Sequence, residues 1–177
     1  KMASNQSHLS AWMQFARRLV VWKYARTMAK ATKRVLLLNG PNLNLLGERE
    51  PEVYGTATLL DHVASATQVA TDLGMTVDSV QSNSSAEIVN AIHSARNTHD
   101  AIVINPGAFT HYAWSIHDAL AAFSGPVIEV HISNPSTREV WRHESVIAPV
   151  ASGTIAGFGE LSYSLAMQAV ARLLADK

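Results

Sequence analysis

Glu129 and His131 stand two residues apart in the apolar run VIEVHI. On a strand both side chains then point to one face, with Cβ atoms roughly 7 Å apart. A carboxylate there can orient the imidazole. A Glu in an otherwise apolar strand is costly unless partnered, which argues for chemistry, the alternative being a satisfied core pair. Arg49 and Tyr54 lie five residues apart in GEREPEVYG, with Pro51 stiffening the link and Gly55 freeing the exit. A free Tyr, with a pKa of about 10, is ionised to about one part in a thousand at neutral pH, and a nearby guanidinium stabilises the phenolate by a few kcal/mol. Such a Tyr can act as a general base; the alternative is an exposed ring packing its own loop. Arg138 and Arg142 are four apart, so a short helix would place them on one side. Arg142 could clamp a carboxylate through paired hydrogen bonds and Ser133 could add a hydroxyl or backbone donor, against the alternative of a solvated basic face. Base, acid and anion holder, with no metal and no cofactor, suit proton abstraction beside a carbonyl followed by loss of a leaving group.

The elements that must position these groups alternate. Val35 to Leu38 reads as a buried strand ending at Asn39-Gly40-Pro41-Asn42, which cannot extend it, and the long loop that follows reads as an active-site lid. Leu59, Val63, Ala66, Ala70 and Leu73 have helical spacing and stop at Gly74; Thr76 to Gln81 reads as a second strand. Ser84 and Glu87 have the spacing of a capping box before a helix with Ile88, Ala91, Ile92 and Ala95 inward. A third strand, Ala101 to Ile104, leads to Asn105-Pro106-Gly107; Thr110 is placed to cap a helix buried along Ile116, Leu120 and Phe123. Val127 to Ile132 forms the fourth strand, a loop or short helix spans 134–144, and a strand near Thr154 to Gly157 precedes a last helix with Leu161, Leu165, Ala169 and Leu173 on one face. This alternation predicts an α/β fold: a five-stranded parallel sheet in flavodoxin-like order 2-1-3-4-5 with helices on both faces. Ligands of such sheets bind beyond the carboxyl ends of the strands. Asn39, Asn42, Ser82, Asn83, Asn105, His131 and Ser133 all fall at that edge.

Composition removes several classes. At 177 residues and 47% apolar content, one domain with a real core is expected. The absence of Cys excludes thiol nucleophiles and Cys-ligated zinc. Eight of the 14 Lys and Arg lie in residues 1–34, where no Asp or Glu occurs, leaving six basic against 14 acidic residues, about −8, in the rest. An acidic body argues against nucleic acid as a partner. No apolar run nears the ~20 residues of a membrane span, so a soluble, cytoplasmic protein is expected. Residues 1–33 form a basic extension with Trp12, Phe15, Leu19 and Trp22 at helical spacing; a partner helix, a transit peptide and a non-native extension all fit it. Residues 34–177 are then the catalytic domain. Walker, G-x-G-x-x-G, G-x-S-x-G and H-E-x-x-H patterns are missing, and His111 and His117 are spaced poorly for a shared metal. A flavin-binding module remains open on fold alone.

LLLNGPNLNLLGEREPEVYG, INPGAFTH, VIEVHISNP and SGTIAGFG, in this order and at these separations, resemble the type II 3-dehydroquinate dehydratases of the shikimate and quinate pathways. The resemblance runs from about Val35 to the C-terminus. It implies a cofactor-free, metal-free hydro-lyase that converts 3-dehydroquinate to 3-dehydroshikimate by trans elimination, in trimers that assemble into a homododecamer. By motif, Tyr54 is implied as the base, Arg49 as the group that keeps it ionised and closes the lid, and Asn42 and Asn105 as enolate stabilisers, through ordered water. His131 is implied as the acid, held by Glu129. Asn105, His111, the Ile132-Ser133 backbone and Arg142 are implied to bind the substrate. Asp118 is implied to reach a neighbouring subunit's site, and helix geometry turns it about 200° from Ile116, away from the core. The family often carries Arg before this Asp. Here it is His117, so assembly or activity is expected to vary with pH. The rival from another class is a catalytically silent homologue used for binding or regulation.

Overall fold

The computed structural model describes residues 32–48 and 55–176. The basic extension, apart from its last two residues, and the lid positions Arg49 and Tyr54 lie outside the described residues.

Five strands form one parallel sheet in the order β2-β1-β3-β4-β5, as the alternation predicts. They are β1 (Lys33–Asn39), β2 (Met75–Gln81), β3 (Ala101–Asn105), β4 (Val127–His131) and β5 (Gly153–Ala156), joined through α1 (Leu59–Asp72), α2 (Ser85–Ala95) and α3 (Trp114–Ala121) and followed by α4 (Leu161–Ala175). Alternation along the strands divides the core in two. Val35, Leu37, Val103, Ile128 and Val130 pack with Ala66 and Ala70 of α1 and Tyr163, Ala166 and Met167 of α4. Leu36, Leu38, Ile102, Ile104 and Val127 pack with Ile88 and Ile92 of α2 and Ile116 and Leu120 of α3. Burying each large side chain contributes about 1.5–3 kcal/mol, and residues two apart share a layer because successive side chains alternate faces. Among the described residues no helix is long and apolar enough to cross a membrane.

Three local expectations fail for physical reasons. The capping box sits on α1, where Thr58 Oγ1 accepts from Asp61 N at 3.2 Å and Asp61 Oδ2 accepts from Thr58 N at 2.8 Å. Ser84 makes no side-chain cap on α2, and Glu87 accepts a hydrogen bond from the Ser82 hydroxyl instead. Thr110 does not cap α3: it lies in a short 3-10 turn, Gly107–His111, and Ala113 precedes the helix. Finally, α4 buries Ser162, Tyr163, Ser164, Ala166, Met167 and Val170, while Leu161 is 63% exposed. Its inward face is rotated from the leucine row because a buried tyrosine, whose hydroxyl finds polar partners, sets the orientation.

Candidate active site

The connections after β1, β3 and β4 enclose a cavity lined by Asn42, Asn105, His111, His131, Ser133, Arg138, Trp141 and Arg142, with Leu43, Leu46 and Ile132 as its apolar wall. Two of these connections interlock. Gly40 N donates to Asn105 O at 2.8 Å, and a Cβ at Gly40 would lie 2.2 Å from the Pro106 carbonyl oxygen. Only glycine permits that approach. Asn42 takes up a left-handed conformation with φ 64°, one that Asn tolerates, and its N–H donates to Asn83 Oδ1 at 2.9 Å.

Beneath the loops, Asn39 and Asn105 are register partners on β1 and β3. The buried Tyr163 hydroxyl donates to Asn39 Oδ1 at 2.8 Å and accepts from Asn105 Nδ2 at 3.0 Å. Burial pushes this phenol well above its ordinary pKa of 10.0, against the smaller opposing effect of the Asn105 hydrogen bond, so it stays neutral. Asn105 Oδ1 accepts from Gly107 N at 3.2 Å. An amide has two N–H groups, so one remains for a ligand.

On the other face of β4, Glu129 is fully buried and His131 Nε2 donates to its Oε1 at 2.8 Å. The two-residue spacing thus yields the pair that the sequence predicts. Glu129 has two further donors, the Thr110 hydroxyl and the Ser145 hydroxyl, the latter 3.0 Å from each carboxylate oxygen. Burial resists ionisation of Glu129, but the hydrogen bonds from His131, Thr110 and Ser145 outweigh it and hold the carboxyl below its ordinary value. With Nε2 committed to Glu129, Nδ1 is the nitrogen of His131 left for a ligand.

The far wall is basic and aromatic. Arg142 Nε donates to Glu139 Oε2 at 2.6 Å, and its guanidinium carbon lies 3.9 Å from the Trp141 ring centroid. Arg138 also pairs with Glu139, at 3.7 Å. Both arginines line the cavity, although the segment forms 3-10 turns, Pro135–Thr137 and Val140–Arg142, rather than one helix. His111 Nδ1 donates to Glu144 O at 2.7 Å and the ring meets Trp141 edge-on at 5.1 Å. Asp118 stands apart: it is exposed on α3 and does not line this cavity. Among the described residues no cluster of three His, Asp or Glu side chains could hold a metal.

Sequence reasoning misses Thr110, Ser145, Trp141 and Tyr163. Only Thr110 leaves a visible cue, as a hydroxyl residue next to His111, and in sequence it reads as a helix cap.

The profile of the family described as Dehydroquinase class II matches residues 33–171. The chain belongs to the class II dehydroquinase family. Among relatives of this dehydroquinase, the 3-dehydroquinate dehydratase of Bacillus licheniformis is 53% identical over 133 residues, covering 75% of this chain and 92% of the relative. The catabolic 3-dehydroquinase of Aspergillus clavatus is 52% identical over 139 residues, covering 78% and 93%. The crystal structure of the type II dehydroquinase from Propionibacterium acnes superposes with a TM-score of 0.76 at 44% identity, covering 79% of this chain and 97% of that one. The flavodoxin-like architecture is shared, and the enzyme class is that of a hydro-lyase.

Proposed function

We propose that this dehydroquinase dehydrates 3-dehydroquinate to 3-dehydroshikimate by a trans elimination through an enolate. The observation that carries the reading is the buried Glu129 holding His131 at a cavity whose opposite wall presents Arg142. A substrate carboxylate pairs with the Arg142 guanidinium, whose Nε is already engaged by Glu139, and hydroxyls meet His111, Asn105 and the Ile132-Ser133 backbone. Tyr54, kept ionised by Arg49 on the lid, takes the proton alpha to the ketone. The resulting enolate is stabilised at Asn42 and Asn105, through ordered water. His131, anchored through Nε2, delivers its Nδ1 proton to the leaving hydroxyl as the carbon–oxygen bond breaks. Water departs and the C=C bond forms, so the proton taken by Tyr54 and the one given by His131 balance over the turnover. In an oligomer of trimers, Asp118 faces outward to a neighbouring subunit's cavity, consistent with its exposure. The catalytic residues serve a biosynthetic or a catabolic route equally.

Ultraviolet absorbance of the conjugated enone, followed after adding 3-dehydroquinate in EDTA, tests the reading. Wild type is expected to form product rapidly, with Tyr54→Phe and His131→Ala each slowed by at least about 100-fold. A folded wild type without product would leave the silent homologue. Full activity in Tyr54→Phe would keep the reaction and discard this base.

A further inference from the structure

Ser145 has the hydrogen-bonding capacity of any hydroxyl, two lone pairs and one proton. Its two lone pairs are taken: Ile147 N donates to Oγ at 3.0 Å and Ala148 N at 2.9 Å. Its proton therefore points toward Glu129, whose two oxygens are each 3.0 Å away, or toward Thr110 Oγ1 at 2.8 Å. Because Ser145 cannot accept from Thr110, the Thr110 proton goes to Glu129 Oε1. The backbone of a surface turn thus orients the buried Thr110 hydroxyl and the half-buried Ser145 hydroxyl, and both serve a carboxylate that is ionised. Among the described residues, His131 is the one titratable group hydrogen-bonded to Glu129.

The same turn is pinned to the cavity wall. Val146 N donates to Thr110 O at 2.7 Å, His111 Nδ1 donates to Glu144 O at 2.7 Å, and His117 Nδ1 donates to Val146 O at 2.6 Å. Residues 144–148 therefore follow directly from the Arg142 segment and grip the Thr110–His111 turn.

We infer that Thr110 and Ser145 are positioning residues of the dehydration: their hydroxyls hold Glu129 as an oriented carboxylate, and through it fix the aim of the His131 ring. The inference rests on the reading of His131 as the acid. Neither Thr110 nor Ser145 lines the cavity, so each acts only through the Glu129–His131 pair. Without one donor, Glu129 takes up a proton at a higher pH and ceases to hold the Nε2–H of His131. The acidic limb of the rate profile then moves up in pH.

The experiment compares kcat, KM and the pH profile of kcat for wild type, Thr110→Val, Ser145→Ala, Thr110→Ser and His131→Ala, together with the Thr110→Val/His131→Ala double variant. Thr110→Val and Ser145→Ala are expected to lose about tenfold in kcat with little change in KM, and to raise the acidic limb by about one pH unit. Thr110→Ser restores most of the rate and the original limb. Adding Thr110→Val to His131→Ala costs nothing further, because the residue it acts through is already gone. A lower kcat with an unmoved acidic limb, or a full tenfold loss in the His131→Ala background, would overturn the assignment while leaving His131 as the acid. A His131→Ala enzyme close to wild type would instead remove the acid itself. Folded proteins with wild-type kcat in both hydroxyl variants would also overturn it.

Discussion

Tyr163 shows how much one buried hydroxyl can carry. Its oxygen bridges Asn39 and Asn105, and both amides are buried with it. Tyr163→Phe keeps the ring but leaves Asn39 Oδ1 without this donor and Asn105 Nδ2 without this acceptor. A loss of about 1–3 kcal/mol is expected, read as a lower midpoint in urea denaturation. The Glu129–His131 pair was legible in the sequence because a period of two on a strand is geometry that any β run obeys. Tyr163 was not, since nothing local distinguishes a tyrosine that faces two asparagines more than fifty residues away from one that packs on its own helix. Ser145 was hidden for the same reason: its partners are Thr110 and Glu129, and sequence spacing does not relate the three.

At the scale of elements, hydrophobic period and turn chemistry sufficed for the number and order of the strands and for the four helices among the described residues, while the face of α4 was misread. Four leucine and alanine positions suggested one stripe, but burying Tyr163, Met167 and Val170 turns the helix so that Leu161 meets solvent. Arg49 and Tyr54, which the sequence places on an expected lid, lie outside the described residues. Helix α1 carries a second consequence of close packing. His62, 1% exposed, stacks on Tyr163 with ring centroids 5.3 Å apart, and its Nε2 has no hydrogen-bond partner among the described residues. Burial lowers its pKa below 6.5, against smaller opposing effects of Glu160 and Asp61. The unfolded chain therefore binds a proton that the folded one refuses, and this stability contribution is present above about pH 6.5 and is lost progressively as pH falls toward the depressed folded value. His62→Phe keeps an aromatic ring against Tyr163 and removes the titration. Thermal melts between about pH 5 and pH 7.5 should be flatter for this variant than for wild type.

For the whole molecule, the sheet edge gathers a cavity from connections scattered along the chain, while Asp118 is exposed on α3 outside it. His117 beside it is tied through Nδ1 to Val146 O and lies 5.4 Å from the Trp114 ring, leaving Nε2 for a neighbour. Arg is charged at every working pH and His only when protonated. Sedimentation velocity at about pH 5.5 and about pH 8 is expected to give different oligomer distributions, and His117→Arg is expected to remove the difference; identical distributions for wild type would discard the idea. The Tyr163 bridge has a further meaning in time. It joins the last helix to the first strand across 124 residues of sequence, so the floor of the cavity is unfinished until α4 docks. A chain emerging from the ribosome can pair its early strands without gaining a working site, and activity recovered during refolding is expected to wait for α4 to dock as well as for the sheet to assemble.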